Sequence, residues 1–138
     1  MARTHDFVTP LLNGKPFLEK PPLYYAVAGL SGMIFGPAND VSFRLVSLLF
    51  SGLTILAIFL LLKRRQGTQR ALVAAMVLST LWEFFKIARW IQVDSALVFG
   101  VTIAMLAWMR LSEGDRIKTS ALVFGLATAI AFLAKGLV

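Results

Sequence analysis

The sequence predicts an all-α integral membrane fold of about four transmembrane helices plus one interfacial helix. Two compositional observations and one of pattern predict it. Of the 138 residues, 58% are hydrophobic and 15% charged, whereas a soluble domain holds about 45–50% apolar and about 25% charged residues. The basic residues do not form a face between aromatics, as a nucleic-acid surface would require. They cluster at Lys63, Arg64, Arg65 and Arg70 and again at Arg110, Arg116 and Lys118, each time between apolar runs. At about 20 residues per span, the length leaves room for several spans and no separate soluble domain.

Residues 1–22 read as a loop, punctuated by Thr9-Pro10, Asn13-Gly14, Lys15-Pro16 and Pro21-Pro22. Each residue before a proline is biased towards extended geometry. No apolar signal-peptide core opens the chain, which leads to the expectation that it starts mid-protein. A proline at position 21 or 22 can begin a helix without sacrificing a hydrogen bond. The following apolar stretch, Leu23–Phe35, ends at Gly36-Pro37. At about 20 Å it falls short of about 30 Å of hydrocarbon, so 23–36 is expected to lie at the interface, with Tyr24 and Tyr25 at headgroup depth. Ala28, Gly32 and Gly36 form a small-residue stripe that suits close helix packing.

Residues 44–138 are expected to hold the spans, at about 44–62, 71–91, 95–111 and 119–138. Leu45–Leu62 is uncharged and stops at Lys63-Arg64-Arg65. The second span begins apolar at Ala71, but its far end carries Glu83, Lys86 and Arg89. The hexapeptide Ser-Ala-Leu-Val-Phe-Gly occurs at 95–100 and again at 120–125; in so restricted an alphabet it carries no architectural weight.

Loop charge predicts orientation. Loop 63–70 is basic without an acid, and 110–118 is basic on balance, so both are expected on the cytoplasmic side. The opposite side then collects Glu19, Lys20, Glu83, Lys86, Arg89, Asp94 and Lys135. Ionisable groups at span ends are costly and mark a site or a pair. Carboxylates can act as bases or metal ligands, and cations can hold a phosphate. Plain structural roles stand beside these: Asp94 can cap its helix, Glu83 and Lys86 can pair at i, i+3, and Arg89 can snorkel to headgroups. The absence of cysteine excludes disulfides, zinc thiolates and thiol chemistry.

The segment Asp6–Tyr25, and above all Glu19-Lys20-Pro21-Pro22-Leu23-Tyr24-Tyr25, resembles the first outer loop of GT-C superfamily glycosyltransferases related to the lipid A aminoarabinose transferase and the protein O-mannosyltransferases. The stretches Asn39–Leu45, Ala88–Asp94 and Ala134-Lys135-Gly136 keep the family's order. The resemblance implies a fragment corresponding to spans two to five of a larger GT-C fold. It implies a multi-pass enzyme of the bacterial plasma (inner) membrane, its active face extracytoplasmic. Such an enzyme moves a sugar from a polyprenyl-phosphate donor to a lipid or protein acceptor, with membrane lipids around it and no nucleic acid as partner. By resemblance Lys20, Lys135 and Arg89 bind the donor phosphate, Asp94 is the catalytic carboxylate, and Glu19 matches a glutamate that in some relatives helps hold a divalent metal ion. The family's Arg-Pro-Asp reads Gln92-Val93-Asp94 here, without the basic residue and the proline. The fragment alone is expected to be inactive. The competing class is a non-enzymatic multi-span protein, such as a transporter piece or assembly subunit. It would bury its charges near the midplane, and here the mid-span stretches carry none.

Overall fold

A computed structural model describes residues 9, 11–12, 15–16, 21–36 and 40–136. A short antiparallel pairing opens them: β1 (Leu11–Leu12) and β2 (Lys15–Pro16), with Leu11 opposite Pro16 and Leu12 opposite Lys15. The helices follow as α1 (Leu23–Phe35), α2 (Asp40–Gln66), α3 (Thr68–Thr80), α4 (Trp82–Arg89), α5 (Asp94–Ser112) and α6 (Ile117–Lys135). The fold is all-α and integral to the membrane. Among the described residues three helical segments, Phe43–Gln66, Asp94–Ser112 and Ile117–Lys135, are long and apolar enough to cross, and a fourth span exists if the bent pair α3–α4 counts as one. Leucines, valines and methionines stand exposed around them, among them Leu48, Leu56, Met76, Met105 and Leu122. That is the surface a hydrocarbon solvent selects.

Where the sequence suggests one span over 71–91, the chain bends by 69° between α3 and α4. Neither proline nor glycine stands at the break. Ser79 and Thr80 instead turn their hydroxyls back onto the helix: Ser79 Oγ donates to Met76 O at 2.8 Å, and Thr80 Oγ1 lies 3.0 Å from both Met76 O and Val77 O. Such back-bonding competes for the helical carbonyls and bends helices. Leu81 then takes an extended conformation, although its N–H still reaches Val77 O and Leu78 O. α4 leaves in a new direction, with Phe84 buried and Trp82 exposed.

The tightest packing is the α5–α6 hairpin. Its seam is built from small residues, with Ala96, Gly100, Ala104 and Ala107 on α5 and Ser120, Ala127, Ala131 and Ala134 on α6 buried. Helices in lipid gain nothing from excluding water, so close backbone approach supplies the attraction. A Cβ at Gly100 would lie 2.8 Å from the Ala131 nitrogen and 3.0 Å from the Ala127 oxygen. Only glycine fits there.

α2 is the hub, packing against α1, α3, α4 and α5. Its contact with α1 contains the largest buried side chain, Tyr24. The phenol donates to Phe43 O at 3.2 Å and lies 2.8 Å from Ser47 Oγ. Burial pushes the Tyr24 phenol above its ordinary pKa, partly offset by the Ser47 hydrogen bond. Tyr24 therefore faces protein rather than headgroups. Its place follows from the small residues Ala28, Gly29 and Gly32, buried on the same helix, which let α1 lie close to its neighbours. A core cluster of Tyr24, Ala28, Val46, Phe50, Val93, Ala96 and Ala134 joins α1, α2, α5 and α6 at one end of the bundle.

Candidate functional site

The helix directions sort the charges into two sets. At one end the basic last turn of α2 meets the α5–α6 turn, and Arg65 Nη2 lies 2.5 Å from Glu113 Oε2. The two loops that the charge pattern assigns to one side thus lie together. The other end gathers the start of α2 with Arg44, all of α4, the first turn of α5 and the last turn of α6.

At that second end Lys135 Nζ lies 2.6 Å from Asp94 Oδ1, each side chain a little over a quarter exposed. Asp94 follows the N-cap residue Val93, and Lys135 occupies the last turn of α6. Each charge therefore sits at the helix terminus whose dipole favours it. The pair stands directly on the core cluster, since Val93, Ala96 and Ala134 are its chain neighbours. The N-cap position belongs to Val93 and carries no side-chain capping bond, so Asp94 is not the helix cap that its place in the sequence suggests; it stands one residue inside α5. Its partner is a cation on another helix.

Gly136 ends α6 with φ 79° and ψ −170°, and its N–H closes on Phe132 O at 2.7 Å. That conformation is essentially reserved for glycine. The same position is where Pro21 arrives: a Cβ on Gly136 would lie 3.4 Å from Pro21 Cγ. The Lys135-Gly136 dipeptide thus presents a cation and, beside it, the landing point for the end of the N-terminal loop. Glu19 and Lys20 lie outside the described residues.

Arg89 belongs to another grouping. Its guanidinium carbon stands 5.3 Å from the Phe85 ring centroid, Lys86 Nζ lies 5.8 Å from the Trp90 ring, and Lys86 pairs with Glu83 at 2.9 Å. The i, i+3 pairing expected for Glu83 and Lys86 is present. A groove of about 520 Å³ runs between Arg44, Lys86 and Arg89, with Trp82, Phe85 and Trp90 along it. Arg44 is the member that sequence reading passes over. It looks like a span boundary until α4 folds back beside it.

Among the described residues no three His, Cys, Asp or Glu side chains cluster as metal ligands, and the Asp94 carboxylate is engaged by an ammonium. The described residues by themselves do not make a metal centre. Glu19, the residue linked by resemblance to a divalent ion, is outside the described set.

The family described as dolichyl-phosphate-mannose-protein mannosyltransferase matches residues 19–138. The chain belongs to this family. The match begins at Glu19-Lys20 and covers Pro21, Arg89, Asp94 and Lys135, so the whole of the end described above lies within family sequence. Relatives include an undecaprenyl phosphate-alpha-4-amino-4-deoxy-L-arabinose arabinosyl transferase of Aeromonas hydrophila, 30% identical with 100% of this chain and 26% of the relative covered. The namesake of Aeromonas salmonicida is 27% identical over the same shares. An uncharacterized protein of Aquifex aeolicus is 32% identical, covering 99% of this chain and 30% of its own length. The chain thus spans about a quarter to a third of the relatives it matches. No solved structure matches.

Proposed function

We propose that the chain forms part of the donor-phosphate site of a membrane glycosyltransferase, which moves a sugar from a polyprenyl-phosphate donor to a lipid or protein acceptor on the extracytoplasmic face of a bacterial plasma membrane. The observation that carries this reading is the Asp94–Lys135 pair beside the Pro21–Gly136 contact. Lys20, which by resemblance also binds the donor phosphate, precedes Pro21 in the sequence. Relatives named for an undecaprenyl-phosphate sugar support the donor class.

In the reaction an acceptor oxygen attacks the anomeric carbon while the bond from that carbon to the phosphate oxygen breaks. The electron pair leaves with the lipid phosphate. Negative charge grows on that phosphate, and fixed cations aimed at it lower the barrier. Lys135 is suited to the task because an ammonium carries three N–H donors; one held by Asp94 leaves others to reach a phosphate. In this reading Asp94 is a positioning residue that fixes Lys135. Glu83 and Asp94 are each held by a lysine, and the proton of a hydroxyl acceptor ends on the departing phosphate, so that the acceptor gains the sugar and the lipid phosphate gains the proton. Arg89 lies over Phe85 in a groove with Arg44 and Lys86, and Lys135 carries this reading without it.

The test is retention of radiolabelled polyprenyl phosphate by proteoliposomes holding the chain. Lys135→Met should remove a charge-assisted contact of about 1.5–3 kcal/mol, weakening retention by at least about tenfold. Asp94→Asn should weaken it less, and Asp94→Glu should restore it. Equal retention by the unaltered and Lys135→Met chains refutes the cradle.

A further inference from the structure

The groove on α4 has a job that the donor site does not explain. α4 turns away from α3 by 69°, so its axis no longer follows that of α3. It packs on α2, buries Phe84 and exposes Trp82, Phe85 and Trp90. Tryptophans with cations beside them are the composition of a helix at the headgroup layer. Arg44, Lys86 and Arg89 line the groove, and the carboxylate that Lys86 pairs with, Glu83, lies outside its lining, so its balance is positive. Arg44 comes from a membrane-crossing helix, and the packing of α4 on α2 brings it to the same groove.

We infer that this groove binds the phosphodiester headgroup of an anionic membrane glycerophospholipid, anchoring α4 at the interface and separate from the sugar donor. The cations supply the charge complement to one phosphate, and the indole rings flank the glycerol at the depth where tryptophan is favoured. An opening of about 520 Å³ admits a headgroup from the side. Each basic side chain near an anionic lipid surface is worth a factor of about five in local lipid concentration, so even one productive contact is measurable.

The experiment uses the full chain in vesicles, on a Trp108→Phe background so that Trp82 and Trp90 are the remaining tryptophans. Fluorescence quenching by brominated phosphatidylglycerol is compared with that by brominated phosphatidylcholine at equal mole fraction. The expected result is an enrichment of the anionic lipid of about fivefold or more, shrinking as salt is raised. The combined Arg44→Gln, Lys86→Gln and Arg89→Gln change should bring the ratio to unity, while Arg44→Lys with Arg89→Lys keeps it. The salt series needs no substitution, so it decides the matter even where the neutral variant fails to fold. Equal quenching by the two lipids in the unaltered groove overturns the inference, as does a preference that survives the neutral variant. Relief of quenching by inorganic phosphate would reassign the groove to free anions, and relief by a stoichiometric polyprenyl phosphate would reassign it to the donor. Either result sinks the phospholipid assignment and leaves the Lys135 test untouched.

Discussion

Lys135 reaches across from the last turn of α6 to the first turn of α5 and meets Asp94 at 2.6 Å. The contact ties together the two ends of one hairpin, and the far turn of that hairpin is tied to α2 by Arg65 and Glu113. Partly exposed pairs contribute little, typically about 0.2–1 kcal/mol. Helix termini add about 0.3–1 kcal/mol to each correctly placed charge. A double-mutant cycle of Asp94→Asn and Lys135→Met, read by denaturant unfolding in detergent micelles, should give a coupling of about 1 kcal/mol or less. A coupling of several kcal/mol would make the pair a structural clasp and weaken its assignment to the donor site.

Gly100 and Gly125 occupy the same place in the two copies of the hexapeptide, yet they differ in surroundings. Gly100→Ala drives a methyl into the backbone of α6 at 2.8 Å and should destabilise the hairpin by about 1–3 kcal/mol. A Cβ at Gly125 meets nothing within 4 Å. Gly125→Ala should be neutral or stabilising by up to about 1 kcal/mol. Thermal unfolding of the two variants, side by side, checks the contrast; equal loss in both would contradict the seam.

Residues 63–70 and 110–118 should be cytoplasmic and the start of the chain extracytoplasmic, because the basic loops lie together at one end and short basic loops stay inside. The chain is free of cysteine, so single cysteines can be placed at Asn13, Gln66 and Gln92. An impermeant thiol reagent added to intact cells should label positions 13 and 92 and spare position 66. Labelling at 66 alone would invert the topology, and with it the face assigned to the donor.

Much of this architecture is legible in the order of residues. The uncharged run Leu45–Leu62, the breaks at Lys63-Arg64-Arg65 and Gly114, and the brevity of Leu23–Phe35 announce the helices, because hydrocarbon tolerates charge poorly and a span needs a minimum length. The family resemblance carried by Glu19–Tyr25 is likewise a property of the string. The bend at Leu81 is less legible. Its signal, Ser79-Thr80, is a pair of hydroxyls that elsewhere in a helix is harmless, and a count of apolar residues does not register it.

What the sequence by itself determined is which segments leave water and at which end each charge emerges, since these depend on transfer free energies that every residue carries with it. What only the tertiary structure decided is pairing. Tyr24 looks interfacial until Ser47 and the Phe43 carbonyl take its hydroxyl; Asp94 looks like a cap until α6 delivers Lys135; Arg44 looks like a boundary until α4 bends back to it. The identical hexapeptides make the same point, for one glycine is locked in a seam and the other faces open space. Burial preference belongs to a residue, but a partner at 2.6 Å belongs to a geometry that distant parts of the chain create together.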